Sequence, residues 1–540
     1  MSTGRETVRT SEGARPDLEP LGNRTAVRGR RLGEILQALG VLVADEALLG
    51  RYEQEFGDGR RLGEILIAQG VATREQVELA LEIQERNSRI SAGADIWAGA
   101  QPATATATKV SRLSPRTLRN VQSCLLFCAA AVAVVIVARS SGSGARWYGV
   151  GALALLSVKL IGSAVYRPVL GPALVGHRVA VIASFYNEDP RAFVHCLDSI
   201  LAQTRPPEEI WVVDDGSKDE FCYRLALDTL RDHPDAVVRR LDVNGGKRHA
   251  QGIAFEGTTC DIVVTVDSDT VLDRDAIAEG LRPFSDPRVT GVAANVRALN
   301  HRRNLLTRLI DLRYANAFLF DRAAYSTVGS VVCCCGSLSF FRTDVVRQHL
   351  ADFLHQTFLG VHVQYGDDRR LTQYALMHGT VRLQDTSLAY TLVPETLGHY
   401  RRQQLRWNKS FFRESLWAIR RFGPRRWPFW ISLVELAIWL TFTASLLIAL
   451  YVRPLLTGVT VPWSFVAFGV ILAYARNVRY FGRPGVTATS QLVTFACAPL
   501  YTVLHVVLLT PLRLWSLLTL RKTGWGTRSR VEVRGRGPAD

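Results

Sequence analysis

Long apolar runs bracket a mostly polar middle, and this division constrains the fold of the chain more than any other feature. Val121 to Val137 runs almost without polar residues, and Tyr148 to Val165 follows a short Ser/Gly turn with a single Lys159 inside it. Each run is near the ~20 residues needed to cross ~30 Å of hydrocarbon, so a transmembrane hairpin is expected over 119–166. Apolar character returns at Ile431 to Val452, Val461 to Ala475 and Gln491 to Leu520, the last broken by Pro499 and Pro511. This predicts a membrane region over 431–520. Arginines and lysines mark the cytosolic side of a span. Here they stand at Arg112, Arg116 and Arg119, at Arg420 and Arg421, at Arg476 and Arg479, and at Arg521 and Lys522. The last run is basic at both ends. That implies two crossings there, or one helix plus a re-entrant or interfacial piece. The expectation is a multi-pass protein of the plasma membrane, in contact with the lipid bilayer, with the polar middle and both termini in the cytoplasm. Arg413 to Trp430 mixes Phe and Trp with Arg, as helices lying in the interface do, so an interfacial helix is expected over 413–430.

Composition narrows the rest. With 48 % apolar and 21 % charged residues over 540, the chain is neither mostly disordered nor a small disulfide scaffold. Lys plus Arg is 65 and Asp plus Glu is 49, a net +16 that favours an anionic partner such as a phosphorylated substrate. No nucleic acid polymer is expected. The nine cysteines include an adjacent trio, Cys333 to Cys335, and form neither a CxxC pair nor a zinc-spaced cluster. Residues 1–27 are polar and read as a disordered tail, 89–118 as an Ala/Thr/Ser-rich linker, and 521–540 as a cytosolic tail.

Between tail and linker lies a repeat. Arg30-Arg31-Leu32-Gly33-Glu34-Ile35-Leu36 recurs as Arg60-Arg61-Leu62-Gly63-Glu64-Ile65-Leu66, and Gly40-Val41 as Gly70-Val71. Each unit reads as two short amphipathic helices, so 28–88 is expected to be a small all-α module. It resembles the N-terminal domain of type II secretion and pilus assembly ATPases. That resemblance implies a docking module or a cyclic di-GMP site, with Arg31, Gly33, Arg61 and Gly63 placed to meet a phosphate.

From Arg178 the pattern changes to strand, helix, strand. Val179 to Phe185, Ile210 to Val213 and Asp261 to Val266 are apolar runs of the kind a strand buried on both faces shows. Helical patterns lie between them, which predicts an open, mainly parallel α/β sheet over 177–412. In such sheets ligands bind beyond the carboxyl ends of the strands. Those ends carry Tyr186, Asn187 and Glu188, then Asp214 and Asp215, then Asp267 and Asp269. Converging carboxylates repel one another unless a cation compensates, and Mg²⁺ commonly takes one or two carboxylates plus substrate phosphates. Asn244-Gly245-Gly246-Lys247-Arg248 adds flexible backbone and two cations suited to a phosphate.

Five motifs then occur in order. They are Asp214-Asp215-Gly216-Ser217, Gly246-Lys247-Arg248, Asp267-Ser268-Asp269, Gly366-Asp367-Asp368-Arg369 and Gln403-Gln404-Leu405-Arg406-Trp407. In this the chain resembles the processive family 2 glycosyltransferases, which include cellulose, chitin and hyaluronan synthases. Val393 to Leu397, Gln403 to Glu414 and Gly524-Trp525-Gly526-Thr527-Arg528 are most similar to the bacterial, class I hyaluronan synthases. The resemblance implies a GT-A type sheet with flanking helices, embedded in a multi-span α-helical membrane domain. It implies an inverting hexosyltransferase that polymerises and exports hyaluronan from UDP-N-acetylglucosamine and UDP-glucuronate, or a chitin-type synthase using the first donor alone. Mg²⁺ or Mn²⁺ would be held by Asp269 with Asp267. Asp368 would be the general base. Tyr186, Glu188, Asp214, Lys247, Arg248, Asp267, Gln403, Arg406, Trp407, Trp525 and Arg528 would contact the UDP-sugar. Cys335, Gly336, Ser337 and Trp407 would face the acceptor, the growing polysaccharide.

Overall fold

The computed structural model describes residues 62–68, 70–91, 115–171, 176–458, 463–483 and 486–523, with Leu32, Leu36 and Val41. The chain divides into two compact units, Met1–Gly99 and Ala100–Asp540.

In the first unit, α1 (Leu62–Ala68) and α2 (Arg74–Ser91) pack through Leu62, Ile65, Leu66, Val77 and Ala80. A capping box starts α2: the Gln76 amide donates to Thr73 Oγ1 at 3.2 Å and the Thr73 amide to Gln76 Oε1 at 2.8 Å. Gly63, one of the repeated glycines, lies at the crossing. A Cβ there would sit 2.6 Å from Val77 Cγ1, so this position serves helix packing. Arg31, Gly33 and Arg61 lie outside the described residues.

The second unit opens with two long helices, α3 (Pro115–Arg139) and α4 (Ser143–Val165). Alternation of strand and helix follows: β1 (Val179–Phe185), α5 (Pro190–Leu201), β2 (Glu209–Asp214), α6 (Phe221–Thr229), β3 (Ala236–Arg240), α7 (Lys247–Gly257), β4 (Ile262–Asp267), β5 (Thr270–Leu272), α8 (Ala276–Leu281) and β6 (Val289–Ala298). After α9 (Leu305–Asn316) come β7 (Leu338–Arg342), a small hairpin of β8 (Thr357–Phe358) and β9 (Val361–His362), α10 (Asp367–His378), β10 (Thr380–Thr391) and α11 (Leu397–Arg421). The eight-stranded sheet has the order β3-β2-β1-β4-β7-β6-β10-β5. The pairs β3-β2, β2-β1, β1-β4 and β6-β10 are parallel, and the pairs that β7 and β5 make are antiparallel. The expected mainly parallel sheet is thus borne out, with β7 and β5 alone running against the direction of the rest. Every residue of β1 and β2 is buried, which is why these strands read as unbroken apolar runs.

Three further apolar helices are α12 (Trp427–Thr457), α13 (Trp463–Arg476) and α14 (Ala488–Leu518). By length and composition α3, α4, α12 and α14 are each able to cross a membrane. With 14 residues, α13 spans only about 21 Å. Two differences from the sequence reading stand out. The 491–520 stretch is one helical run rather than two spans, and residues 413–430 belong to two elements, the second half of α11 and the start of α12. At Pro499 the regular helix is interrupted only at Cys497, while Pro454 and Pro511 are accommodated by widened turns. A π-helical segment, Ile448–Val452, precedes Pro454, and another, His505–Leu509, precedes Pro511. Proline lacks the donor and crowds the carbonyl four residues back, and a wider turn makes room for it without ending the helix.

The membrane helices and the sheet domain are joined by buried polar contacts. Asp311 of α9 takes the Tyr480 hydroxyl at 2.7 Å and the Arg483 guanidinium on the same oxygen, with both charged side chains almost fully buried. Gly162 of α4 comes against Ala324, where a Cβ would lie 2.9 Å from its methyl. Replacing Asp311 by Ala strands the Arg483 charge. The expected loss is about 3–5 kcal/mol of stability, seen as a lower melting temperature in detergent, and an unchanged melt would show that the pair holds nothing together.

Candidate active site

The site is assembled from the carboxyl ends of β1 and β4, the starts of α7 and α10, and one face of α11. At the end of β2, Asp215 Oδ1 accepts the Gly245 and Gly246 amides at 2.9 and 3.1 Å. That pins the glycine loop, in which Gly246 has φ +90°, a conformation side chains disfavour. The loop sets Lys247 as the first residue of α7. Its Nζ lies 2.5 Å from Asp267 Oδ1 and 3.4 Å from Asp367 Oδ2. Gly366 (φ +92°) caps α10, and Asp367 and Asp368 form its first turn, where the helix N-terminus favours negative charge. A Cβ on Gly366 would meet Ser410 Oγ of α11 at 2.4 Å, so glycine also allows α10 and α11 to touch.

The two aspartates of α10 are driven apart in acidity. Burial opposes ionisation of Asp367, but Lys247 and Arg248 outweigh it and hold its carboxyl below the usual range. Burial and the Asp367 charge push Asp368 up to about 6. Asp368 Oδ1 accepts the Arg369 amide at 2.8 Å, and its Oδ2 lies 3.8 Å from Cys333 Sγ.

Tyr186, Glu188, Lys247, Asp267, Asp269, Cys335, Gly336, Ser337, Asp368, Gln403, Arg406 and Trp407, all named from the sequence, line one cavity of about 1140 Å³. Glu188 accepts the Ser268 hydroxyl at 2.6 Å, and Ser337 Oγ lies 3.4 Å from Asp267 Oδ2. Trp407 is 37 % exposed, with the Arg313 guanidinium 5.4 Å from its ring centre.

Two expected donor contacts are placed differently. Arg248 follows Lys247 on α7, and consecutive helical residues point about 100° apart. Its guanidinium is buried, donates to the Phe353 carbonyl at 3.0 Å and lies over the Phe353 ring. Asp214 is wholly buried, takes the Ser217 amide at 2.9 Å and faces Arg240 Nε at 3.2 Å. Its carboxylate fixes the turn after β2. Trp525 and Arg528 lie outside the described residues.

The sequence reading did not single out several groups on the same wall. Arg313 and Tyr314 of α9, Asp321 and Glu435 face the cavity, as does His399, for which no role was expected. Lys159 Nζ lies 2.9 Å from Asp321 Oδ1 and 2.6 Å from Glu435 Oε1. A charged residue inside an apolar run was the available signal, since such residues pair inside the protein. The cavity continues between the apolar helices to Trp147 and Tyr148 of α4 and Phe442 of α12.

Residues 177–410 match the profile described as Glycosyltransferase like family 2. A hyaluronan synthase of Streptococcus pyogenes is 37 % identical over 390 residues, spanning 72 % of this chain and 91 % of the relative. The chain belongs to glycosyltransferase family 2. An N-acetylglucosaminyltransferase of Azorhizobium caulinodans is 35 % identical over 361 residues, spanning 65 % of this chain and 87 % of the relative. A solved mannosyltransferase of Pyrobaculum calidifontis, in complex with GDP-mannose and Mn²⁺, aligns at 20 % identity with a TM-score of 0.44, covering 74 % and 96 % of the two chains. The protein is a glycosyltransferase with a GT-A type domain, and its four long apolar helices make it a membrane protein.

The donor set suits a hard divalent cation, because the cavity carboxylates offer only oxygen. Among the described residues no three His, Cys, Asp or Glu side chains are arranged to hold a metal by themselves.

Gly336 is tightly bounded, since a Cβ there would lie 3.2 Å from Asp267 Oδ2 and 3.3 Å from Lys247 Nζ. Gly336→Ala is expected to shift that pair by a few tenths of an ångström and lower turnover about tenfold, with an unchanged melting temperature. Activity within error of the parent would show that the spacing of Asp267 and Lys247 is unimportant.

Proposed function

We propose that the enzyme polymerises UDP-N-acetylglucosamine and UDP-glucuronate into hyaluronan and moves the product through the membrane. The observation that carries this reading is the single cavity that runs from the carboxylates of the sheet domain to the apolar helices. A growing hydrophilic polymer needs a protein-lined path, because lipid offers no partners for its hydroxyls. The identity to the streptococcal synthase, over nearly all of that relative, supports the same product.

The UDP-sugar sits at the ends of β1 and β4, near Tyr186, Glu188, Lys247 and Asp267. Asp269, with Asp267, would hold Mg²⁺ or Mn²⁺, and a bound metal would offset charge that develops on the departing UDP. Lys247 adds a second positive charge there. Asp368 takes the proton of the acceptor hydroxyl as that oxygen bonds to the anomeric carbon. The bond to UDP breaks on the opposite face, and UDP leaves with the electron pair. Inversion turns an α-linked donor into a β-linked product. Trp407 gives the acceptor sugar a flat apolar face, and Cys335, Gly336 and Ser337 close the wall beside it. Gln403 and Arg406 fix the α11 face near the diphosphate.

The protein is multi-pass, with its catalytic domain and both termini in the cytoplasm. Two contacts support the placement of the C-terminal end. Near the start of α14, Thr494 meets Arg308 of α9 at 3.3 Å, and past its end the Lys522 carbonyl accepts from Tyr365 and Lys409 at 3.2 and 2.9 Å. Both ends of α14 thus meet the catalytic domain, so in this reading α14 enters the membrane without carrying the chain across it, and the return from α12 falls to α13. The N-terminal repeat is a helical docking or cyclic di-GMP module, and the packing of Gly63 against Val77 favours docking.

Membranes supplied with labelled donors test the product. Polymer that requires both UDP-sugars is expected, and polymer from UDP-N-acetylglucosamine alone would make this a chitin-type synthase, as the Azorhizobium relative allows. Asp368→Asn is expected to lower turnover at least about 10²-fold while UDP still binds, and retained turnover would remove Asp368 as the base. Because the base must be ionised and its carboxyl sits at about 6, activity falls as pH drops through about 6. An acid limb near 4 would contradict that assignment.

A further inference from the structure

Beyond the carboxylates proposed for catalysis, the cavity carries two guanidinium groups whose protein partners are neutral and a third that shares its carboxylates with a lysine. Arg313 of α9, Arg476 of α13 and Arg513 of α14 all line it. Arg513 lies within electrostatic range of Arg313 and of Arg476, and all three lie within range of His505. Like charges held together in a low-dielectric place repel, and an anion relieves them.

Their protein partners are almost all neutral. Arg313 donates to the Tyr400 hydroxyl at 3.3 Å and to Gln404 Oε1, and it lies over the Trp407 ring. Arg513 Nη1 is 3.0 Å from His505 Nε2. Guanidinium is always the donor, so that ring nitrogen accepts and bears no proton. The other face of the Arg513 group looks toward Trp439 at 5.9 Å. Arg476 donates to Asn316 Oδ1 at 2.8 Å. Arg476 also shares Asp321, at 3.9 Å, with Lys159 and lies within electrostatic range of Glu435, whereas Arg313 and Arg513 have neutral partners alone.

The geometry points to a carboxylate subsite formed by Arg313, Arg476 and Arg513, which takes a uronic acid of the nascent chain just past the Trp407 acceptor platform. It rests on the uronate-containing product proposed above and adds where that product is recognised. A guanidinium offers paired donors that match a carboxylate, whereas N-acetylglucosamine has only neutral groups to present. Trp407 would stack one sugar, and the arginines beside it would register the acid of a neighbouring one. Every second sugar would meet this site as the chain advances.

The test uses the full chain in lipid nanodiscs and three short probes of equal length. These are a hyaluronan oligosaccharide, the same molecule with its carboxyls reduced to alcohols, and a chito-oligosaccharide. The unreduced probe is expected to bind about tenfold tighter than either neutral one at low salt, with the preference shrinking as salt rises. The preference should disappear in Arg513→Gln and in Arg476→Gln, while UDP titration confirms that both variants are folded. Equal binding of acidic and reduced probes by the parent, no measurable binding of the acidic probe, or a preference that survives both substitutions would overturn the subsite. The product reading fails separately, through the donor requirement. A chain that polymerises UDP-N-acetylglucosamine alone could still show or lack the acid preference in this titration.

Discussion

Carboxylates crowded at one end of a sheet are the constraint around which this molecule is built. Glu188, Asp267, Asp269, Asp367 and Asp368 face one cavity, and Lys247 stands between Asp267 and Asp367. Left to itself such a group repels. Strand ends hold Asp267 and Asp269 in place, and the first turn of α10 favours the charge of its own pair. Lys247 keeps Asp367 ionised, and the charge on Asp367 in turn raises its neighbour. Two adjacent, chemically identical residues thereby acquire different acidities, one suited to holding a cation's charge and the other to taking a proton near neutrality.

A second set of charges ties this site to the lipid-facing helices. Lys159, Asp321, Tyr325 and Glu435 form one cluster between α4, the turn after α9, and α12, with the Tyr325 hydroxyl also on Glu435. Ionisable groups are expensive in hydrocarbon and survive by pairing. Here they pair across the same cavity that Asp267, Asp269 and Asp368 line. Widened turns before Pro454 and Pro511 let α12 and α14 stay helical while passing beside it. The transferase chemistry and the membrane path therefore share walls instead of being separate modules.

What could be read from the sequence follows from how local each feature is. Unbroken apolar strands ending in acidic residues, a glycine ahead of Lys247 and another ahead of Asp367 are short-range patterns, and they located the sheet and most of the cavity. Direction within a helix turn was harder. Lys247 and Arg248 look equivalent in sequence, yet one enters the cavity and the other is buried against Phe353. Asp214 reads as a donor contact, whereas its carboxylate is occupied by the amide and hydroxyl of Ser217, and its neighbour Asp215 by the amides of the glycine loop. Pairings distant in sequence left little local trace. Nothing near Asp311 announces Arg483, and nothing near Arg313 announces Arg513. The expected break at Pro511 did not end the helix, because the residues before it relax into a π turn, and at Pro499 the interruption is confined to Cys497.

Where the finished polymer emerges tests the union of these two halves most directly. In sealed proteoliposomes sorted so that the catalytic domain faces outward, newly made labelled polymer can be challenged with a hyaluronan lyase added outside. The account predicts that most of the polymer is protected until detergent is added. Polymer that is degraded as fast as it is made, with vesicles intact, would show that the chain leaves on the catalytic side and that the cavity between the helices is not its path.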